Sequence, residues 1–110
     1  MANETPDSGP ITLINVFELR PDDVEQFLQH WRERAEFLGR QPGFRSLRLR
    51  ALNPDSRFQL VNVAEWDSAE ALQAATAQDF LQQSAQRSVQ EFAVAAYPAV
   101  YRVVIEATAD

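Results

Sequence analysis

Residues 58–66, FQLVNVAEW, alternate along an extended chain. Phe58, Leu60, Asn62, Ala64 and Trp66 share one face, and Gln59, Val61, Val63 and Glu65 share the other. A strand that is apolar on both faces reads as a central one, covered from both sides. This constrains the chain more than any other stretch, because Asn62 then lies among apolar neighbours, two steps along one face from Trp66. A buried amide needs hydrogen-bond partners, or its burial costs about 1–3 kcal/mol. Asp67 follows at once with Glu70 three residues on, the spacing of a capping box that opens a helix. The stretch predicts an amide and an indole in a dry crevice beside a helix N-terminus.

A strand of the same character is predicted over residues 11–19, with Leu13, Asn15 and Phe17 on one face and Ile14 and Val16 on the other. Arg20-Pro21 breaks it, and Asp22 with Glu25 reads as the capping box of a helix. Val24, Phe27, Leu28, Trp31, Ala35 and Leu38 form the apolar stripe of that helix, which Gly39 and Pro42-Gly43 end. Residues 44–52 make the next strand, alternating Arg45, Leu47 and Leu49 against Phe44, Ser46, Arg48 and Arg50. Asn53-Pro54-Asp55-Ser56 fits a type I turn into the strand at 58–66. A broken helical region follows: Leu72 and Ala75 belong to a first short piece, and Phe80, Leu81, Ala85, Val89 and Phe92 to a second. The last strand is predicted over about residues 98–107, with Tyr101, Val103 and Ile105 opposite Val100, Arg102 and Val104. Pro98 opens it, as at a sheet edge. Residues 1–10 carry no apolar periodicity and read as a flexible tail ahead of a single domain over 11–110.

The order is βαβ followed by βαβ, in halves of similar length. It predicts an α+β, ferredoxin-like fold: a split βαβ protomer with a four-stranded antiparallel sheet and helices on one face. The first and third strands become central neighbours, which brings Asn15 and Asn62 together in mid-sheet. The uncovered face is expected to show Ile14, Val16, Leu47, Leu49, Val61, Val63, Val100 and Val104. That is more apolar surface than a monomer leaves wet, so a homodimer packed sheet to sheet as a barrel is expected.

Composition removes several function classes. The net charge of -6 argues against nucleic acid. All ten basic residues are Arg, which removes lysine Schiff-base chemistry, and the absence of Cys removes disulfides, thiolate nucleophiles and Cys-ligated metals. A single histidine, His30, does not make a metal centre, so no metal is expected. No apolar run reaches transmembrane length and the first residues are too polar for a secretion signal, so no membrane association and a cytoplasmic location are expected.

The segments FELRPDD, FLQHWRERAEFLGRQPGFRSLRL and NPDSRFQLVNVAEWDSAEAL, with the later DF, together resemble the antibiotic biosynthesis monooxygenase family of dimeric α+β barrels. The likeness covers about residues 11–106. It implies a ferredoxin-like protomer, a dimer, and a pocket in each protomer between sheet and helices. The family's quinone-forming oxygenases oxidise polycyclic phenols with O2 and without metal, flavin or haem, which implies no cofactor. Asn62 and Trp66 are similar to their pocket amide and indole. Where some members carry a tyrosine on the following helix, this chain has Leu72, and Arg87 stands where a helix-borne arginine reaches the pocket. The haem-degrading branch uses an Asn on the first strand, a Trp ending the third and a His on the later helix. Asn15 and Trp66 match the first two, the third position is similar to Ser84, and no His follows residue 30.

Cofactor-free oxygenation needs an aromatic anion held in a water-poor slot, with donors aimed at the developing oxyanion. Asn amides and an indole N–H donate there without titrating. Asn62, Trp66 and Asn15 are therefore the catalytic candidates. Phe17, Phe58, Leu72 and Arg87 are candidates for substrate binding, joined by Arg48 if it shares the Phe44–Ser46 face and points into the pocket mouth. Trp31 is expected in the core and His30 at a rim or surface. Three functions stay open: a cofactor-independent monooxygenase of a phenolic or polycyclic small molecule, a haem-binding or haem-degrading protein, and a non-catalytic dimeric module that binds a small aromatic or apolar ligand.

Overall fold

The computed structural model describes residues 9–51 and 56–110. The expected tail, up to residue 8, and most of the expected 53–56 turn lie outside the described residues. Four strands and three helices follow in the order β1 (Ile11–Glu18), α1 (Val24–Leu38), β2 (Phe44–Ala51), β3 (Leu60–Trp66), α2 (Ala69–Thr76), α3 (Asp79–Phe92) and β4 (Ala95–Tyr101). The strands form one antiparallel sheet in the order β2-β3-β1-β4. This is the ferredoxin-like plan that the sequence predicts, with β1 and β3 at its centre. None of the described helices is long and apolar enough to cross a membrane.

Period two decides what each face of the sheet carries. Ile11, Phe17, Leu60, Ala64 and Trp66 point to the helical side and are buried there with Phe27, Trp31 and Leu38 of α1, Leu72 and Ala75 of α2, and Leu81 and Phe92 of α3. Phe17 anchors the contact, edge-on to Phe27 at 5.5 Å and to Trp31 at 6.0 Å. Burying each large side chain of this kind contributes roughly 1.5–3 kcal/mol. Ile14 opposite Val63 and Val16 opposite Val61 line the other, half-open face, with Tyr97 and Tyr101 of β4 beside them.

Several local expectations change. Asp22 does not cap α1: Pro21–Asp23 forms a 3-10 turn, and neither Arg20 nor Asp23 makes a capping side-chain bond. Ser68, not Asp67, caps α2, accepting from the Ala71 N–H. Asp67 instead receives a hydrogen bond from Arg45 Nε, and its own N–H donates to the Gly43 carbonyl at 2.7 Å. A bulge follows from the same corner. Phe44 pairs with Trp66 and Ser46 with Glu65, so Arg45 is an extra residue and the alternation of β2 inverts after it. Leu47 and Leu49 therefore face the helices, opposite Ala64 and Asn62, and do not belong to the open face. The last strand begins three residues earlier than expected, with Pro98 inside it at the sheet edge and paired to Asn15. Val100 pairs with Leu13 on the helical side, and Val104 lies beyond the strand. On α3, the helix buries Ser84 and Ser88 between Leu81 and Phe92, while Val89 is 59% exposed and Ala85 is exposed.

Candidate functional site

The sheet and the helices do not meet completely. A cavity of about 210 Å³ remains between the middle of β1 and β3 and the three helices. Leu13, Leu38, Ala64, Leu72 and Leu81 give it apolar walls, and Thr76, Gln82 and Ala85, all exposed, stand at its mouth. Apart from Thr76 and Gln82 at the mouth, its polar groups are two amides, two indoles and one guanidinium.

Asn15 and Asn62 are register partners across the β1–β3 ladder, so both side chains leave the sheet on the helical side at the same level. Trp66 ends β3 on that face, held edge-on by Phe44 at 5.2 Å. Trp31 comes from the opposite wall, on the buried stripe of α1. The Oδ1 atoms of Asn15 and Asn62 and the Nε1 atoms of Trp31 and Trp66 are all buried and have no hydrogen-bond partner among the described residues. These four side chains all line the one cavity. Buried polar atoms are nearly always satisfied, and each that is not costs about 1–3 kcal/mol. Four around one cavity leave hydrogen-bonding capacity unfilled there. Rotation of an amide exchanges its oxygen and NH2, so each Asn can present an acceptor or a donor to that molecule.

Arg34, one turn after Trp31, also lines the cavity, its guanidinium 5.1 Å from the Trp31 ring centroid. Its Nε donates to Ser84 Oγ at 3.1 Å and its Nη2 to Ser88 Oγ at 2.9 Å. Ser88 Oγ donates in turn to the Ser84 carbonyl at 3.0 Å, and His30 Nε2 lies 3.2 Å from both the carbonyl oxygen and Oγ of Ser84. Burial lowers the Arg34 guanidinium to about 10, and the positive charge of Arg87 acts in the same direction. Arg34 therefore remains a cation at neutral pH. Among the described residues no group of acidic, His or Cys side chains has the arrangement of a metal site.

The expected site residues divide accordingly. Asn15, Asn62, Trp66 and Leu72 come together at the cavity. Phe17 does not line it but supports Trp31 from within the core. Phe58 precedes β3 and packs on Tyr97 and Arg57, away from the cavity. Arg48 is on the open face of the sheet with Ser46, Arg50, Val63 and Glu65, because the bulge at Arg45 inverts its direction. Arg87 is exposed and is not part of the cavity wall. Arg34 and the free N–H of Trp31 are the members that reading by period overlooks. A basic residue within the stripe of Trp31, Ala35 and Leu38, and two serines four apart between Leu81 and Phe92, were the available signals.

A family model described as antibiotic biosynthesis monooxygenase matches residues 10–96. Among solved structures, a candidate monooxygenase from Shewanella loihica PV-4 is 32% identical, with a TM-score of 0.68 over 90% of this chain and 98% of that one. SnoaB, a cofactor-independent oxygenase from Streptomyces nogalater, is 23% identical with a TM-score of 0.75 over 90% of this chain and 97% of that one. A candidate antibiotic biosynthesis monooxygenase from Caulobacter crescentus CB15 is 15% identical with a TM-score of 0.74, over 89% and 92%. The last two likenesses bear on the fold alone. No curated protein matches the chain in sequence.

Proposed function

The chain belongs to the antibiotic biosynthesis monooxygenase family, and on that footing we propose that it is a cofactor-independent monooxygenase of a phenolic or polycyclic aromatic small molecule. The observation that carries the proposal is the set of four unpartnered polar groups, from Asn15, Asn62, Trp31 and Trp66, around one apolar cavity. An engineered dry cavity of roughly 150 Å³ takes up benzene. The larger volume here encloses the reacting ring of a bigger phenol, whose remainder leaves past Gln82 and Ala85.

In this reading the substrate supplies the electrons. An ionised anthrone-type phenol transfers an electron to O2, the radical pair joins as a C–O bond, and the resulting peroxide loses its carbon-bound proton as the O–O bond breaks. One oxygen remains as the quinone carbonyl and the other leaves as water, so a CH2 group and O2 become C=O and H2O. The chain's part is to exclude water, hold the ring between Trp31 and Trp66, and turn the Asn62 and Asn15 amides and the indole N–H groups toward oxygens that gain charge.

Oxygen uptake with an anthrone-type phenol, without added flavin, haem or metal, tests this. One O2 consumed per quinone formed is the expected result. Tight binding of such phenols without uptake overturns it in favour of a non-catalytic binding module. The haem reading has less support, since His30 is bonded at Ser84 and is not in the cavity wall. A Soret band on haem titration revives it.

The open sheet face supports a homodimer as part of the same proposal. Ile14, Val16, Val61 and Val63 form a contiguous apolar patch, with Tyr97 and Tyr101 about half exposed beside it. A second copy laid face to face buries that patch symmetrically.

A further inference from the structure

We propose that the cavity selects ligands that carry an anionic oxygen on an aromatic framework, and that Arg34 on α1 is the residue that holds this oxygen. The inference rests on the reading of this cavity as the oxygenase site and names the charge state of what enters it.

Arg34 differs from the arginines paired elsewhere on the molecule. Arg40, Arg45 and Arg57 each meet a carboxylate, of Glu36, Asp67 and Glu18 respectively. Arg34 is partly withdrawn from water, yet among the described residues it meets no carboxylate: its partners are the neutral hydroxyls of Ser84 and Ser88 and the Trp31 ring, and the nearby charge of Arg87 is of the same sign. Among the described residues no acidic side chain lines the cavity, although the chain as a whole has sixteen acids against ten bases. The result is an uncompensated cation in an apolar enclosure, where its field is little screened and an anion gains most by approaching. Burial lowers its proton affinity only to about 10, so the charge persists at neutral pH.

The geometry also leaves the guanidinium available. Nε–H and one Nη2–H are used by the two serines, and the other N–H groups have no partner among the described residues. The serines are fixed from behind by the Ser88-to-Ser84 bond and by His30, and the Trp31 ring lies within 5.1 Å of the guanidinium. The fork is thus oriented before a ligand arrives. Charge-assisted bonds from a pre-oriented guanidinium favour an ionised oxygen over a neutral hydroxyl or carbonyl of the same shape. Aromatic phenolates and aromatic carboxylates share this chemistry.

Calorimetric titration of the full chain near neutral pH with three probes tests the proposal. They are 2-hydroxy-1,4-naphthoquinone, which is ionised there, neutral 1,4-naphthoquinone, and 2-naphthoate. The expected result is at least one anionic probe binding about tenfold or more tightly than the neutral quinone. Preference for the hydroxyquinone identifies a ring oxygen as the anion, and preference for 2-naphthoate identifies a carboxylate. Arg34→Gln should bring anionic and neutral probes to within about threefold of each other. Arg34→Lys, which keeps the charge without the planar fork, should retain part of the preference and serves if the Gln variant does not fold. Equal affinity of the wild type for charged and neutral probes, no binding of any probe, or an undiminished preference in both variants overturns the proposal. Failure of the oxygenase reading looks different: the anionic preference and its dependence on Arg34 persist, and O2 uptake is absent.

Discussion

Asn15 on β1 stands directly opposite Asn62 on β3, and both amide oxygens are buried without a hydrogen bond from any described residue. Opposed side chains in such a ladder begin about 5 Å apart, close enough for two amides to bond each other. Here their oxygens are left to the cavity, so the pair presents unfilled hydrogen-bonding capacity to whatever occupies it.

Asn62→Ala should separate function from stability. The Asn62 oxygen has no partner among the described residues, so its removal orphans none of them, and the change in unfolding free energy should stay within about 1 kcal/mol. Turnover of an aromatic substrate should fall about a hundredfold if the amide serves the developing oxyanion. Denaturant melts and kcat/KM measured on the same preparation check both halves.

Trp66→Phe keeps an aromatic wall against Phe44 and removes the unpartnered N–H. A loss of about 1–2 kcal/mol in stability from reduced packing is expected. A ligand that accepts a bond from the indole should lose about tenfold in affinity, while an unsubstituted hydrocarbon of the same shape should not. Parallel titrations of the two ligands decide the point.

Gly43→Ala should be among the most destabilising small changes. Gly43 has a φ of +83°, and a Cβ there comes within 2.5 Å of the Ala71 Cβ on α2. Left-handed strain and overlap together should cost about 2 kcal/mol or more. Pairing it with Ala71→Gly removes the overlap and leaves the backbone strain. A double-mutant cycle by chemical denaturation should therefore show a favourable coupling.

Arg34→Met should make the fold more stable at neutral pH by roughly 1 kcal/mol, because it removes a desolvated cation without a counter-ion. Ser84 and Ser88 keep other partners, in His30 and in the Ser84 carbonyl. The sign follows from the lowered guanidinium: ionised Arg34 opposes folding below about pH 10, and that opposition fades as pH rises above it. Thermal melts of both proteins near pH 7 should show the variant higher, with the gap narrowing in strongly alkaline buffer. A variant that melts lower at pH 7 contradicts this account of Arg34.

Val61→Glu tests the sheet-to-sheet dimer. Val61 is half-buried opposite Val16 on the open face, so the charge is tolerable in a lone protomer and buried in a paired one. Light scattering should show the wild type near twice the chain mass and the variant near one. A wild type that stays monomeric at micromolar concentration rules out the pairing.

The sequence by itself determined the central strands, the stripe of α1 and the meeting of Asn15 with Asn62. Each of these follows from a local period, two or 3.6, and from a connection order that admits few topologies. Trp66 reached the cavity for the same reason, since it lies on the face of Asn62, whereas Leu72 was legible there only through the family resemblance. Tertiary structure alone decided the rest. Arg48 turns away because one extra residue at Arg45 inverts the strand, and that bulge depends on Asp67 and Gly43 being adjacent in space. Ser84 and Ser88 displace Val89 from the buried face of α3 because Arg34 of α1, some fifty residues away in the chain, supplies their partner there. A period records which residues share a face. Whether a buried polar group finds a partner or is left for a ligand depends on which two faces meet, and only the packed fold decides that.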